Sequence, residues 1–329
     1  MNNLIKITFF VFLLSCGQDI TYENNIKEDL IFLADDKLEG RKTGTQGEKL
    51  AAKYISERFE KLNLSDKGTE NYYQDFYFGN NNNPHEEIEF NKDSDNSQIH
   101  ARNVVGFLDN GGSNTVVIGA HYDHLGYGEE SSLYFGDEVL IHNGADDNAS
   151  GTSLLLDLAN RLATKELKSN YLFIAFSGEE MGLLGSNYFL KNPTVSKDEI
   201  NYMINMDMVG RLNKENKLSV SGVGSAKIFK QIVNSNNSNF NLVEFGSSST
   251  SSFGSSDHAS FYYEDIPVLS FFTGQHEDYH KPSDDYDKIN FEGIELISDY
   301  IEDIIEELDS MDKLEFIKAE ETKNATPRF

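Results

Sequence analysis

The sequence predicts an α/β fold, a three-layer α/β/α sandwich with a central mixed, mostly parallel sheet. Three observations carry the prediction. From residue 101 onward, apolar runs of strand length alternate with helical stretches, the order expected of a sheet covered by helices on both faces. Hydrophobic residues make up 38% of the 329, enough for a sizeable core in one large domain or two small ones. No internal repeat divides the chain.

Taken in order, Tyr22 to about Asp36 reads as a helix, with Ile26, Leu30 and Leu33 on one stripe. A glycine-punctuated loop follows at 38–44, and then a second amphipathic helix from Thr45 to Leu62, with Ala51, Tyr54, Ile55 and Phe59 at helical spacing. Tyr72 to Phe78 suggests the first arm of a hairpin, and the Asn- and acid-rich stretch 80–97 an exposed loop. Strands are predicted over Asn103–Leu108, Thr115–Ala120, Tyr171–Phe176, Tyr202–Met206, Leu218–Ser221 and Pro267–Phe272. Helices are predicted over Gly151–Ala163, Met181–Leu190, Ala226–Asn234 and Phe291–Leu308. The Gly/Ser-rich run Phe245–Ser256 reads as a flexible loop, and residues after Asp309 as a polar tail.

At the start, Lys6 precedes the apolar stretch Ile7–Leu14, which is too short for a stable membrane span. Leu13-Leu14-Ser15-Cys16 resembles a lipobox, at which bacteria attach lipid to the cysteine and cut before it. The expectation is an exported lipoprotein, periplasmic or anchored at the outer membrane or cell surface, touching membrane only through lipid on Cys16. Cys16 is the only cysteine, so no internal disulfide can form. The net charge of −27 argues against binding nucleic acid or anionic lipid, whose phosphates would be repelled. Acidity can instead draw in cationic groups, a peptide's free amine among them.

In open α/β sheets, ligands bind beyond the carboxyl ends of the strands. Here the run to Ala120 leads into His121-Tyr122-Asp123-His124, and the run to Phe176 into Ser177-Gly178-Glu179-Glu180. The run to Met206 leads into Asp207, and the run to Phe272 through His276 to Tyr279-His280. Between the first two lies Gly144-Ala145-Asp146-Asp147-Asn148-Ala149-Ser150-Gly151, which opens a helix. Imidazoles with carboxylates suit zinc. Two histidines and three or more carboxylates exceed what one tetrahedral catalytic zinc needs, and fit two metals sharing a carboxylate.

These strings, with Asn205-Met206-Asp207-Met208-Val209-Gly210 and Tyr279-His280-Lys281-Pro282-Ser283-Asp284, resemble the di-zinc aminopeptidase family. That family contains secreted bacterial leucyl aminopeptidases and, more distantly, glutamate carboxypeptidases and glutaminyl cyclases. The likeness covers roughly residues 26 to 308, and Gly40-Arg41, Gly44 and Gly47 resemble its usual N-terminal stretch. It implies a single catalytic domain holding two zinc ions per chain. The divisions would be a signal peptide at 1–15, a linker at 16–25, a zinc peptidase domain at 26–310 and a tail at 311–329. By resemblance Asp146 bridges the metals, His121 and Asp207 complete one site, and Glu180 and His280 the other. Glu179 would be the general base, taking a proton from the metal-bridging water and passing it to the leaving amine. Asp123 would hold the second ring nitrogen of His121. Tyr279 would help stabilise the oxyanion. The family also implies a cis bond at Asp146–Asp147.

Less is expected elsewhere. His124, His142 and His276 default to the surface, with a supporting or rim role as the alternative, and His85 and His100 have none. Asp257-His258 suits packing or hydrogen bonding behind the ligands. The functional expectation is an aminopeptidase acting on peptides with a free N-terminus. A carboxypeptidase or aminoacyl-amidase is the alternative, for which Arg211 is the evident carboxylate clamp. A glutaminyl cyclase would need only one zinc, and a non-catalytic binding module would lack ligands or base.

Overall fold

A computed structural model describes residues 25–79, 89–91, 98–245 and 256–318. The export segment with Cys16, most of the 80–97 loop, residues 246–255 of the Gly/Ser run and the end of the tail lie outside these. Helix α1 (Ile26–Leu33) buries Ile26, Leu30 and Leu33, the stripe its sequence spacing predicts. A tight 3-10 turn over Asp36–Arg41 replaces the predicted loop and leads into α2 (Gln46–Lys61). Thr45 caps the start of α2, its side chain accepting from Glu48 N, and the Glu48 carboxylate reaches back past it to accept from the Gly44 N–H at 2.6 Å, a variant of the capping box.

The strands follow as β1 (Ser65–Asp66), β2 (Tyr73–Gly79), β3 (Phe90–Asn91), β4 (Gln98–Leu108), β5 (Thr115–His121), β6 (Asn170–Phe176), β7 (Ile200–Met206), β8 (Lys217–Ser221), β9 (Asn241–Phe245) and β10 (Val268–Phe272). Their order across one sheet is β3-β2-β4-β6-β5-β7-β10-β8-β9, with β1 paired to β4. The centre, β6-β5-β7-β10, is parallel. The pairs of β4 with β6 and β8 with β10 are antiparallel, so the sheet is mixed. Every residue of β5 and β7 is buried, which is why these strands read as unbroken apolar runs.

Helices α3 (Gly151–Leu162), α5 (Phe229–Ser235) and α7 (Phe291–Asp309) join α1 and α2 on one face, over Val116, Ile118, Phe173, Ile204 and Phe271. Helices α4 (Leu184–Lys191) and α6 (His258–Tyr263) cover the other face, where Phe189 and Phe261 pack on Val117, Ile174 and Met203. The three layers are those the sequence predicts. The predicted helix at Met181–Leu190 begins three residues late, because Glu179 to Leu183 form the turn that presents the site. Four elements, β1, β3, β9 and α6, are absent from the sequence prediction: β1 and β3 have two residues each, β9 five and α6 six. Among the described residues no helix is long and apolar enough to cross a membrane.

Candidate metal centre

His121 is the last residue of β5, and main-chain bonds carry the pairing one step past the neighbouring strands. Tyr122 N donates to Phe176 O at 2.9 Å, and Asp207 N to Phe271 O at 3.2 Å. His121, Glu179, Glu180, Asp207 and His280 therefore gather at one edge of the sheet. The sixth side chain comes from the wide turn Ala145–Ser150 that opens α3. Asp284 Oδ2 accepts from the backbone N–H of both Asp146 and Asp147, at 3.0 and 3.1 Å. Asn148 pins the turn from the other side, donating to Met206 O and accepting from Gly151 N and Met208 N.

Two groups of ligand atoms result, His121 with Asp147 and Asp207, and His124 with Asp147 and Glu180, each within 4.8 Å of one another. His121 Nε2 lies 3.4 Å from Asp147 Oδ1 and 3.5 Å from Asp207 Oδ1. His280 Nε2 lies 3.2 Å from Asp147 Oδ2 and 3.3 Å from Glu180 Oε2. Asp147 thus turns one oxygen to each group. Glu179 Oε2 stands 3.9 Å from His121 Nε2, beside the first group.

The expectation for Asp146 is corrected. Its Oδ1 accepts from Gly210 N at 2.6 Å and Ser150 Oγ at 3.0 Å, and its Oδ2 faces His276 Nε2 at 3.0 Å. Adjacent side chains on this turn point apart, and it is Asp147 that faces the imidazoles. The cis bond falls correspondingly one residue later, at Asp147–Asn148. His121 Nδ1 meets the Asp123 carbonyl at 3.3 Å, closer than the Asp123 carboxylate at 3.8 Å. That carboxylate instead accepts from Thr43 Oγ1 at 2.8 Å and Glu179 N at 3.2 Å, so Asp123 braces both the histidine and the loop of Glu179. Tyr279 stacks on the His280 ring with centroids 3.9 Å apart. His280 has left-handed backbone (φ 55°), held by Ser131 O on its Nδ1 and by Leu133 N on its carbonyl.

Three residues were missed or misplaced by sequence reasoning. His124 is buried, with Nδ1 2.8 Å from Glu180 Oε1 and Nε2 without a hydrogen-bond partner among the described residues. Gly144 makes room for it: at φ 53°, a Cβ there would stand 2.5 Å from the His124 ring. His142 is also buried, bonded to Ser132 and the Leu140 carbonyl. Arg41 is fully buried and donates to the carbonyls of Leu33, Tyr122, Asn143 and Gly144, tying together the loops that carry His121 and Asp147. The Gly40-Arg41 pair within the glycine-punctuated loop was its only signal, since which carbonyls it meets depends on the whole fold.

The electrostatics are those of a cation site. Burial would raise the Asp147 carboxyl, but the imidazoles of His121 and His280 hold it well below its usual range. Burial would lower His280, and its bonds to Asp147 and Glu180 override that and push it up to about 10. Glu179 is pushed well above the usual carboxylate range, first by burial, then by Asp207, Glu180 and Asp257 against the opposing pull of His121. Four buried or nearly buried carboxylates face so few imidazoles that divalent cations suit the donor set, with nitrogen and oxygen ligands fitting zinc.

Residues 103–305, more than half of the chain, match the profile of peptidase family M28. The chain belongs to peptidase family M28. M28 is a zinc metallopeptidase family, and aminopeptidases are among the named relatives of this member. Aminopeptidase YwaD of Bacillus subtilis is 32% identical over 175 residues, 50% of this chain and 38% of the relative. The alkaline phosphatase isozyme conversion protein of Escherichia coli is 28% identical over 51% of this chain and 46% of its own length. The M28 chain thus spans less than half of each of these relatives. In fold, it is similar to a zinc aminopeptidase from Bacillus subtilis, with TM-score 0.64, 16% identity and coverage of 92% and 99% of the two chains. A glutaminyl cyclase from Bacteroides thetaiotaomicron superposes with TM-score 0.67, 16% identity and coverage of 86% and 97%.

Proposed function

We propose that this M28 chain is an aminopeptidase that releases the N-terminal residue of peptides. In this reading two zinc ions are held by His121, Asp147 and Asp207 on one side and by Asp147, Glu180 and His280 on the other. The observation that supports it most is the split of the Asp147 carboxylate, one oxygen to each group. Such an ion pair, when bound, polarises a substrate carbonyl and lowers the pKa of water.

The chain's own residues supply the rest. Glu179 stands beside the candidate ligands, with its Oε2 3.9 Å from His121 Nε2 and its backbone N–H held by Asp123, the placement a general base needs. It takes a proton from the attacking water and delivers it to the leaving amine. The Tyr279 phenol, kept protonated by burial and then by the surrounding acids, lines the cavity and donates to the oxyanion. Arg211 is no carboxylate clamp, since it is paired with Asp278 at 2.8 Å and Asp284 at 3.5 Å. The charge beside the metal wall is acidic, from Asp147, Glu179, Glu180 and Asp207, with Lys217 set apart on the cavity floor; acids next to the reacting centre suit an amine and favour aminopeptidase over carboxypeptidase.

The test is hydrolysis of free and N-acetylated aminoacyl-anilides by the zinc-loaded chain, with a Glu179→Gln variant beside it. Free substrates should be cleaved and blocked ones spared, and the variant should lose about 100- to 10,000-fold in kcat. Cleavage of blocked substrates would remove the aminopeptidase reading, and an unimpaired variant the role of Glu179. Likeness to a cyclase fold favours a second reading, cyclisation of N-terminal glutamine. Ammonia release from a glutaminyl peptide, without release of glutamine, would establish it instead. Export as a lipoprotein bearing lipid on Cys16 is part of the same proposal.

A further inference from the structure

Next to the metal centre the cavity of about 580 Å³ continues over the sheet face formed by β8 and β10. Lys217, Ser219 and Ser221 alternate along β8 and share that face, while Ser270 and Phe272 do so on β10. The antiparallel register sets Ser221 opposite Ser270 and Ser219 opposite Phe272. A second observation concerns bonding. Among the described residues, the hydroxyls of Ser219, Ser221 and Ser270 have no hydrogen-bond partner, and the Lys217 ammonium has no carboxylate partner. The floor is therefore three hydroxyls open to the cavity beside the Phe272 ring, with one cation at their end. Every carboxylate that lines the cavity, Asp147, Glu179, Glu180 and Asp207, belongs to the metal wall.

We propose that this half of the cavity receives the side chain of the substrate's N-terminal residue and selects carboxylate- and carboxamide-bearing side chains, with Lys217 favouring the carboxylate. The proposal rests on the aminopeptidase reading and adds the substrate class to it. An aliphatic side chain would strip water from three hydroxyls and replace none of their hydrogen bonds, whereas an amide or carboxylate replaces them. A lysyl or arginyl side chain would meet Lys217 with no acid on that floor to offset it.

The experiment compares kcat/KM of the zinc-loaded chain for glutamyl-, glutaminyl-, leucyl- and lysyl-anilides, in the natural protein and in Lys217→Glu, Lys217→Ala and Ser270→Val. Glutamyl and glutaminyl substrates should exceed leucyl by about tenfold or more, the scale of one hydrogen-bonding preference in a buried site. Lys217→Glu should lower the glutamyl-to-lysyl ratio by at least about tenfold, Lys217→Ala should lower it less, and Ser270→Val should move preference toward leucyl. A natural protein that prefers leucyl, or a ratio unmoved by Lys217→Glu, overturns the proposal. Calorimetric titration with free glutamate and free leucine reads the pocket without turnover. If no anilide is cleaved, the activity reading fails, yet tighter glutamate still supports the pocket assignment and tighter leucine overturns it.

Discussion

Asp146 and Asp147 share a turn, a charge and a backbone anchor on Asp284, yet their carboxylates serve different ends. Asp146 is occupied by Gly210, Ser150 and His276, and Asp147 by the two imidazoles. Substituting Asp147→Asn should therefore reduce bound zinc below two per chain by atomic emission. Asp146→Asn should keep the metal while lowering thermal stability, because a charge-assisted network of the kind worth ~1.5–3 kcal/mol per bond is weakened. Equal zinc loss in both variants would refute the distinction. His124 is the other residue-scale test. By holding Glu180 Oε1 it restricts where the second oxygen points. Outer partners of this kind are worth about 10- to 100-fold in metal affinity, so His124→Ala should release zinc to a competing chelator at correspondingly lower chelator concentration.

At the scale of elements, α2 is joined to the strand ends through Glu48. Its buried carboxylate accepts from Ser177 Oγ at 2.5 Å, Gly44 N at 2.6 Å and Tyr122 OH at 3.2 Å. Burial pushes its pKa up to about 7 despite these donors. The folded chain then holds a proton that the unfolded chain, with an ordinary glutamate near 4.5, releases first. Stability from this group is full below about pH 4.5 and is lost as pH rises toward 7, at most ~3 kcal/mol in all. Denaturant titrations from pH 4.5 to 8 should show that Glu48→Gln removes part of the downward slope. A slope identical to that of the natural protein would show that Glu48 titrates normally. The α2 stripe and its Thr45 start were legible as sequence because they follow a helical period. The wider role of Glu48 was not, because two of its three donors, Tyr122 and Ser177, come from positions far along the chain.

For the whole molecule, the proposed ligands come from four strand ends and one helix-opening turn, so metal binding would be coupled to the fold. An ion that binds only the folded chain stabilises it in proportion to RT ln(1 + [L]/Kd). Chelation should lower Tm by several degrees, and zinc should restore it. Glu179→Gln should keep that shift, since Glu179 stands off the ligand groups. A Tm indifferent to both chelator and zinc would oppose a structural stake for the metal. In bacteria, the lipid proposal predicts incorporation of labelled palmitate that disappears in Cys16→Ala, and labelling that survives the change would place the lipid elsewhere.

Alternation of strand and helix, the stripes of α1, α2 and α7, and the return of histidine and carboxylate after successive strands are local patterns. Each follows from the period of the backbone, so the chain alone was enough to read the layered fold and the strand ends at which histidines and carboxylates collect, while the family resemblance singled out His121, Glu179, Glu180, Asp207 and His280 among them. Which of two adjacent aspartates faces the imidazoles depends on the path of one turn, and that path is set by Asp284, Asn148 and Arg41, from distant parts of the chain. The burial of His124 against Gly144 and the open hydroxyls of β8 and β10 were decided in the same way. They are properties of contacts between segments, and only the packed molecule brings those segments together.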